Sequence, residues 1–598
     1  MIKLTKDILS ILSEEQRKKF FSLQLLVFFS AVAEVSSIAV IGPFMALASN
    51  IKIIETNEFI KNIYLISEVD SSAQFLSLIG FLVFILLSIS TVLSILTIRR
   101  LSYFAAKTGA EIGDILYLSY LKKEYLYHTE TNSSELVKQI ATEVNRVTDN
   151  IFQPFVQINA RILTVLFISI LIFLYNPIVS LVGLLVFVFI YSILFFFVKK
   201  KLNINGVNIS KVSEKRFRLM SEGFGAIKDV IVLNRQESFI KEFKESGVVF
   251  SEAYASSNTL YNVPRYIMEF IVYSGMVILI MSLLYFSNGD MSKTISTLAI
   301  FGVAVFKLLP SFQQIYSSLA QIKSNLSALF EIKNDVIEAR KQNKSIEFDE
   351  YSGEYDNCEL FLENIVFKYP GSKVNTINSI NIKIPERGMV GIVGASGAGK
   401  STLLDIFLGL LKPNSGRFLC GNNIVDFNNI KQWQKKIGYV PQNIFLKDGN
   451  ILENIAFGLS DIDIDIDRVN RAIKLAQLNE WIESLPDGLF TEVGEKGVQI
   501  SGGQKQRIGI ARALYNDIDY LFFDEATSAL DGKTEGLIIE AIDKLSISKT
   551  IVMIAHRLNT VRNCDIIYML DQGVVVDSGT FDYLIKNNLK FREMAGEN

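Results

Sequence analysis

Cysteine and histidine are almost missing from this chain. Three cysteines, Cys358, Cys420 and Cys564, occur in 598 residues, all in the polar C-terminal half and without metal-ligand spacing. They imply no disulfide framework, which fits a reducing compartment. Two histidines, His128 and His556, are too few for a histidine-built metal site. Net charge is scarce too: 60 Lys and Arg against 62 Asp and Glu leave −2, so no global field draws nucleic acid to the chain. What abounds is apolar surface. Hydrophobic residues make up 49% of the chain and the mean hydropathy is +0.31. That is high for a soluble enzyme and expected if half of the chain lies in lipid.

The apolar residues are gathered into six stretches before about residue 320: Phe20–Ala48, Phe75–Ile98, Phe152–Tyr175, Ile178–Val198, Tyr266–Phe286 and Ile295–Leu319. Each is long enough to cross roughly 30 Å of hydrocarbon as a helix. A buried soluble helix rarely stays apolar for so long, and the first run is too long for a cleavable signal peptide. Lys3, Lys6, Arg17, Lys18 and Lys19 precede span one, Arg99 and Arg100 follow span two, and Lys199, Lys200 and Lys201 follow span four. The turn between spans three and four, Asn176-Pro177, is uncharged. By the positive-inside rule both termini are cytoplasmic. The inner segments are long and read as helical over Glu111–Lys123, Ser134–Asn150, Val212–Lys228 and Glu237–Asn258, which puts coupling elements at Tyr125–Ser134 and Ala226–Glu237.

Ionisable residues within the spans are few: Glu34, Arg161, Glu269 and Lys307, with Arg265 at the start of span five. Such groups are costly in lipid and face a cavity or a partner. Arg265 and Glu269, four apart, are placed to pair, whereas Lys307 has no local partner and reads as a cavity residue. In the first outer loop, Phe59, Ile60, Ile63 and Tyr64 share one helical face. Two readings stand: a short helix packed on its own spans, or an amphipathic helix in the outer interface.

Residues 1–330 thus form the membrane domain. The charge-rich stretch 331–357 reads as a linker, and residues 358–598 alternate short β-rich runs with helices, as a P-loop α/β domain does. Within it, Gly394-Ala-Ser396-Gly397-Ala398-Gly399-Lys400-Ser401 reads G-x-x-x-x-G-K-S between an apolar strand and a helix opening at Thr402. The glycines let backbone N–H groups turn toward phosphate oxygens, and the helix N-terminus adds positive charge. Lys400 is placed for the β- and γ-phosphates, and Ser401 for Mg²⁺. The plain alternative, an ordinary Gly-rich turn, does not account for the strand and helix on either side. Five companions surround the loop. Tyr369 is placed to stack on adenine. Asp524 ends an apolar strand and suits Mg²⁺, and Glu525 after it suits a general base. Gln442 offers an amide to Mg²⁺ and water. Ser501-Gly502-Gly503-Gln504 opens a helix and forms a second anion receptor. His556 follows another apolar strand and is a candidate to hydrogen-bond a γ-phosphate, the plain alternative being a structural histidine.

These motifs, with Ser528-Ala-Leu-Asp531, stand in the order of an ATP-binding-cassette (ABC) nucleotide-binding domain, and the chain resembles ABC exporters over nearly its whole length. Ile500 stands where that family usually has Leu. The resemblance implies six transmembrane helices fused to an α/β ATPase, with ATP and Mg²⁺ as cofactors. It also implies a homodimer in which ATP lies between one copy's phosphate loop and the other's Ser501–Gln504. Ala31–Ser49, Val263-Pro-Arg265, Lys307-Leu-Leu-Pro310 and the outer-loop helix resemble bacterial PglK-type flippases of lipid-linked oligosaccharides. By that resemblance Arg265 and Lys307 meet the lipid pyrophosphate, and the protein works in the bacterial inner membrane. Lipid A, multidrug and peptide exporters, and a regulatory ABC protein or channel, are rival readings. A soluble ABC ATPase is excluded by the spans.

Overall fold

The computed structural model describes residues 2–49, 58–67, 69, 71–175, 177–286, 291–344, 355, 357–494, 500–525, 532–555 and 557–595. The chain divides into two compact units. One comprises Met1–Lys123 and Tyr127–Glu347, the other Glu124–Leu126 and Phe348–Asn598.

The first unit is all helical. Its long helices are Glu14–Ser49, Ser72–Leu121, Gln153–Tyr175, Pro177–Gly225, Gln236–Phe286 and Met291–Lys344. Spans and cytoplasmic segments that read separately in the sequence are therefore single rods: the 50-residue helix Ser72–Leu121 is about 75 Å long at 1.5 Å per residue. Phe81, Phe84, Val92, Phe189 and Phe197 point outward and are exposed, as lipid-facing side chains are. The inner ends pack around Ile8, Ile112, Val147, Ile151, Leu329 and Ile332. Helical turns at Tyr125–Glu130 and Ile227–Val232 occupy the two expected coupling tips.

Three expectations change here. The last long helix runs on to Lys344, so residues 331–344 are helix and not linker. Ile332, Val336 and Ala339 keep a buried apolar face at i, i+4, i+7 within a charge-rich composition. Lys307 does have a partner, but a distant one: its Nζ lies 3.3 Å from Glu34 on the first long helix. The cysteines do form a bridge, Cys358–Cys420. Its cause is register, because Leu360 pairs with Cys420 and sets Cys358 beside it; a separation of 62 residues carries no such signal.

The outer-loop helix, Glu58–Ile66, packs on its own spans. Ile60 and Tyr64 pack on Leu47 and Phe75, with the Tyr64 and Phe75 rings edge-to-face at 5.0 Å. Ile63, Leu65 and Ile66 remain exposed. The side chain of Phe59 lies outside the described residues.

The second unit is built on two sheets. β1 (Leu360–Phe367), β2 (Ile377–Ile384), β4 (Ser415–Cys420) and β5 (Asn423–Ile424) form an antiparallel sheet in the order β2-β1-β4-β5. β3 (Gly388–Gly394), β6 (Ile437–Val440), β7 (Tyr520–Asp524), β8 (Thr550–Ile554), β9 (Ile566–Asp571) and β10 (Val574–Gly579) form the second, in the order β10-β9-β3-β8-β7-β6. It is parallel except for the β9–β10 hairpin. Its central strands are buried on both faces and read as continuous apolar runs, such as Tyr520-Leu-Phe-Phe523.

Candidate active site

The register of the parallel sheet assembles the site. Ile392 of β3, Ile554 of β8 and Asp524 of β7 lie in one row across the strands. The loops leaving β3 and β7 therefore emerge at the same sheet edge, about two strand spacings or 10 Å apart, where open parallel sheets bind ligands.

At the end of β3, Gly394 has φ +154°, and a Cβ there would fall 2.2 Å from the carbonyl oxygen of Leu570. Only glycine fits this crossing of loop and β9. Ala395, Ser396 and Gly397 form the exposed crown of the loop, whereas Ala398, Gly399 and Lys400 are buried. The next helix, Lys400–Phe407, is capped by Gly399 in the left-handed conformation. Its first N–H groups, at Lys400, Ser401 and Thr402, have no intrahelical acceptor and face an anion-ready pole. The Lys400 amine folds back onto the loop, donating to the carbonyls of Gly394 at 2.9 Å and Ala395 at 3.0 Å. Burial lowers its pKa, against the opposing pull of Glu525 and Asp524. An amine held by neutral carbonyls beside an open crown suits a polyphosphate, so the residues present fit ATP.

β7 ends in Asp524, and Glu525 follows it; both are half-buried. Glu525 turns the chain through φ +49°, and its Oε2 accepts a 2.7 Å hydrogen bond from Nε2 of Gln442, which follows β6. Thus Lys400, Asp524, Glu525 and Gln442 converge, as do Ser401 and Thr402 on the helix. Tyr369 is held at this edge by a 3.2 Å hydroxyl contact with Thr402 and an edge-to-face contact of 5.0 Å with Phe367. Sequence reading missed Asp405. Burial and the neighbouring Asp524 raise its pKa to about 6. Nothing in the local pattern marks it, because its partner is 119 positions away in the chain.

The Ser501 element stands apart. Ser501 caps the helix Gly502–Leu514: its Oγ accepts from the Gln504 N–H, and the Gln504 side chain accepts from the Ser501 N–H at 2.9 Å. This reciprocal capping box leaves the hydroxyl proton of Ser501 and the N–H groups of Gly502 and Gly503 directed outward. The helix packs by β6, at the edge of the sheet. Among the described contacts none joins Ser501–Gln504 to the phosphate loop. Asp531 and His556 lie outside the described residues.

Two family models match this chain, an ABC transporter transmembrane region over residues 20–308 and an ABC transporter domain over residues 377–528. Between them they cover most of the chain, which thus carries the membrane region and the ATPase domain of ABC transporters. The chain's fold is that of a bacterial Atm1-family ABC exporter solved with ATP bound, at TM-score 0.77 and 20% identity over 97% of this chain and 98% of that one. Among curated relatives it is 29% identical to the heterocyst differentiation ATP-binding protein HepA of Nostoc, over 79% of this chain and 76% of HepA. It is 37% identical to the ATP-dependent lipid A-core flippase of Cupriavidus pinatubonensis, over 38% of this chain and 39% of the flippase. The exporter has a membrane-spanning domain and an ATPase domain that uses ATP with Mg²⁺.

The membrane residues singled out for substrate are not brought together. Arg265 pairs with Glu269 at 2.6 Å, four residues along the same helix, and Lys307 pairs with Glu34. No described contact links Arg265 to Lys307.

Proposed function

We propose that two copies of this chain act as one transporter. The observation behind this is the separation of Ser501–Gln504 from the phosphate loop, at different positions along the six-stranded sheet. One chain offers half of an anion receptor at each place, and a second copy completes both. Bound ATP with Mg²⁺ supplies the phosphoanhydride whose cleavage drives the cycle. Lys400 and the loop N–H groups hold phosphate oxygens. Ser401, Gln442 and Asp524 hold the metal, and Tyr369 meets the base. Glu525 takes the proton of the attacking water, aligned by Gln442. Ser501, Gly502, Gly503 and Gln504 of the partner copy, with Asp531 and His556, close the site over the γ-phosphate. Lys400 neutralises phosphate charge in the closed dimer, which reopens when that charge leaves.

The substrate in this reading is a lipid-linked oligosaccharide, moved from the inner leaflet of a bacterial inner membrane. Its support is chemical. Apolar spans carry two cation–carboxylate pairs, and the Lys307 side chain is 41% exposed and held at 3.3 Å, a contact that a doubly charged pyrophosphate can replace. The matched lipid A-core flippase favours a second reading, an anionic glycolipid of the lipid A kind. Reconstitution in liposomes tests both: ATP-dependent reorientation is followed for a polyprenyl-diphosphate sugar, for lipid A and for a cationic drug. Movement of the drug alone would sink both readings.

A further inference from the structure

A cavity of about 240 Å³ opens among the helices Glu14–Ser49, Ser72–Leu121, Gln153–Tyr175 and Met291–Lys344. Its wall is unusually polar for a membrane bundle. It carries Glu34, Arg161, Gln157, Gln314, Thr97 and Thr164. The carboxylate is already engaged: Glu34 takes Lys307 at 3.3 Å and the Thr164 hydroxyl at 3.4 Å. Gln314 donates to Gln157 Oε1 at 3.0 Å, which leaves the Gln157 amide nitrogen as a donor. Arg161 is different. Among the described residues it makes no hydrogen bond or ion pair, and Glu34 on the same wall is not within ion-pair range of it.

The charge sum follows directly. Glu34 and Lys307 cancel, and Arg161 leaves the cavity with one positive charge. A guanidinium offers five N–H donors and no acceptor. A lone cation at span level is costly and marks a functional site. Its flat fork matches two oxygens of a phosphate or carboxylate. The space far exceeds the roughly 10–15 Å³ that one water needs. The level is also fixed, because Thr97 lies just before Arg99 and Arg100, the cytoplasmic end of span two by the loop charges.

We infer that Arg161, with the Gln157 amide beside it, is a receptor for an anionic headgroup entering from the cytoplasmic leaflet. It is the loading site of the transporter, and until the headgroup arrives the Glu34–Lys307 pair beside it carries no net charge. The inference rests on the lipid-phosphate reading above and names a receptor other than Arg265. Phosphate is the shared chemistry of two sources, a lipid headgroup and the free anion.

The test uses the full chain in nanodiscs, with farnesyl diphosphate, farnesol and inorganic phosphate as probes in binding titrations. Farnesyl diphosphate binds more tightly than farnesol to the native chain. Arg161→Gln weakens it roughly ten- to hundred-fold, the worth of a hydrogen bond to a charged group, and Arg161→Lys recovers part of the loss. Arg161→Gln does not lower the melting temperature, since no partner is left unpaired; a drop shared by both variants would make Arg161 structural and overturn the site. Competition by inorganic phosphate at matched concentration supports the receptor with the free anion as its source, and absence of competition supports the lipid headgroup. Equal binding of farnesyl diphosphate by native chain and Arg161→Gln overturns the inference. If the native chain moves no lipid-linked sugar but still binds farnesyl diphosphate through Arg161, the substrate reading falls and the site stands.

Discussion

Replacing Glu525 by glutamine separates chemistry from binding more cleanly than any other single change in this chain. The carboxylate is half-buried and accepts a 2.7 Å hydrogen bond from the Gln442 amide. Glutamine has the same length and keeps one acceptor oxygen, so the Gln442 contact survives as a neutral bond. That exchange weakens it by about 1 kcal/mol, a few degrees of melting temperature at most for a domain of this size. What glutamine cannot do is accept a proton from water. General-base catalysis contributes about 10²- to 10⁴-fold, or roughly 3 to 5 kcal/mol at 1.36 kcal/mol per decade. Glu525→Gln therefore retains ATP affinity within a few-fold and loses at least a hundred-fold in turnover. The assay is phosphate release from detergent-free protein in nanodiscs, beside equilibrium binding of a fluorescent ATP analogue. Turnover within ten-fold of the native rate would refute the assigned role. Loss of nucleotide binding would show that the charge serves the ground state instead.

Other outcomes follow from particular contacts. Gly206 lies where a Cβ would fall 1.7 Å from the carbonyl oxygen of Ser324 on the last long helix; Gly206→Ala forces the two helices apart and costs about 2 to 3 kcal/mol, read as a fall in melting temperature, and an unshifted melt would contradict this packing. Asp405 holds its proton to about pH 6 in the folded state, against the ordinary aspartate value of 3.8. Between those values the native chain binds more protons than the unfolded chain, so stability falls as pH rises from about 4 to 6 and stays lower above it; Asp405→Asn flattens that slope and adds roughly 3 kcal/mol at pH 7. Reducing the Cys358–Cys420 bridge, which closes a loop of 62 residues, lowers stability by about 4 kcal/mol on the chain-entropy account. Thiol titration of the denatured, unreduced chain should find only Cys564, and three reactive thiols would contradict the bridge. In a double-mutant cycle Lys307→Met and Glu34→Gln couple by about 1 kcal/mol, because the lysine side chain is partly exposed and screened; independent effects would remove the pair.

The sequence carried local chemistry well and distant pairing poorly. The phosphate loop, the acidic end of β7 and the helix opening at Ser501 are contiguous patterns, each readable because backbone geometry demands those residues in that order. A helical membrane region was legible because a helix crossing lipid must be long and apolar; among the described residues four helices meet that length and composition. By contrast Glu34 with Lys307, Cys358 with Cys420, and Asp405 with Asp524 meet through helix packing and sheet register, which no linear pattern encodes. Arg161 shows the same limit. Its presence in a span flagged it, but its lack of a partner among the described residues appeared only when the surrounding helices were placed. The extension of the last helix to Lys344 was hidden by composition, because a surface rich in charge concealed one buried stripe.

The central claim is that two copies share each nucleotide. Ser396→Cys on the crown of the phosphate loop and Ser501→Cys on the second receptor, combined with Glu525→Gln, test it through a short thiol cross-linker in nanodiscs. The account predicts a cross-linked dimer that forms with ATP and Mg²⁺ and is lost without them. A chain that stays monomeric with ATP, or that cross-links only within itself, would contradict it.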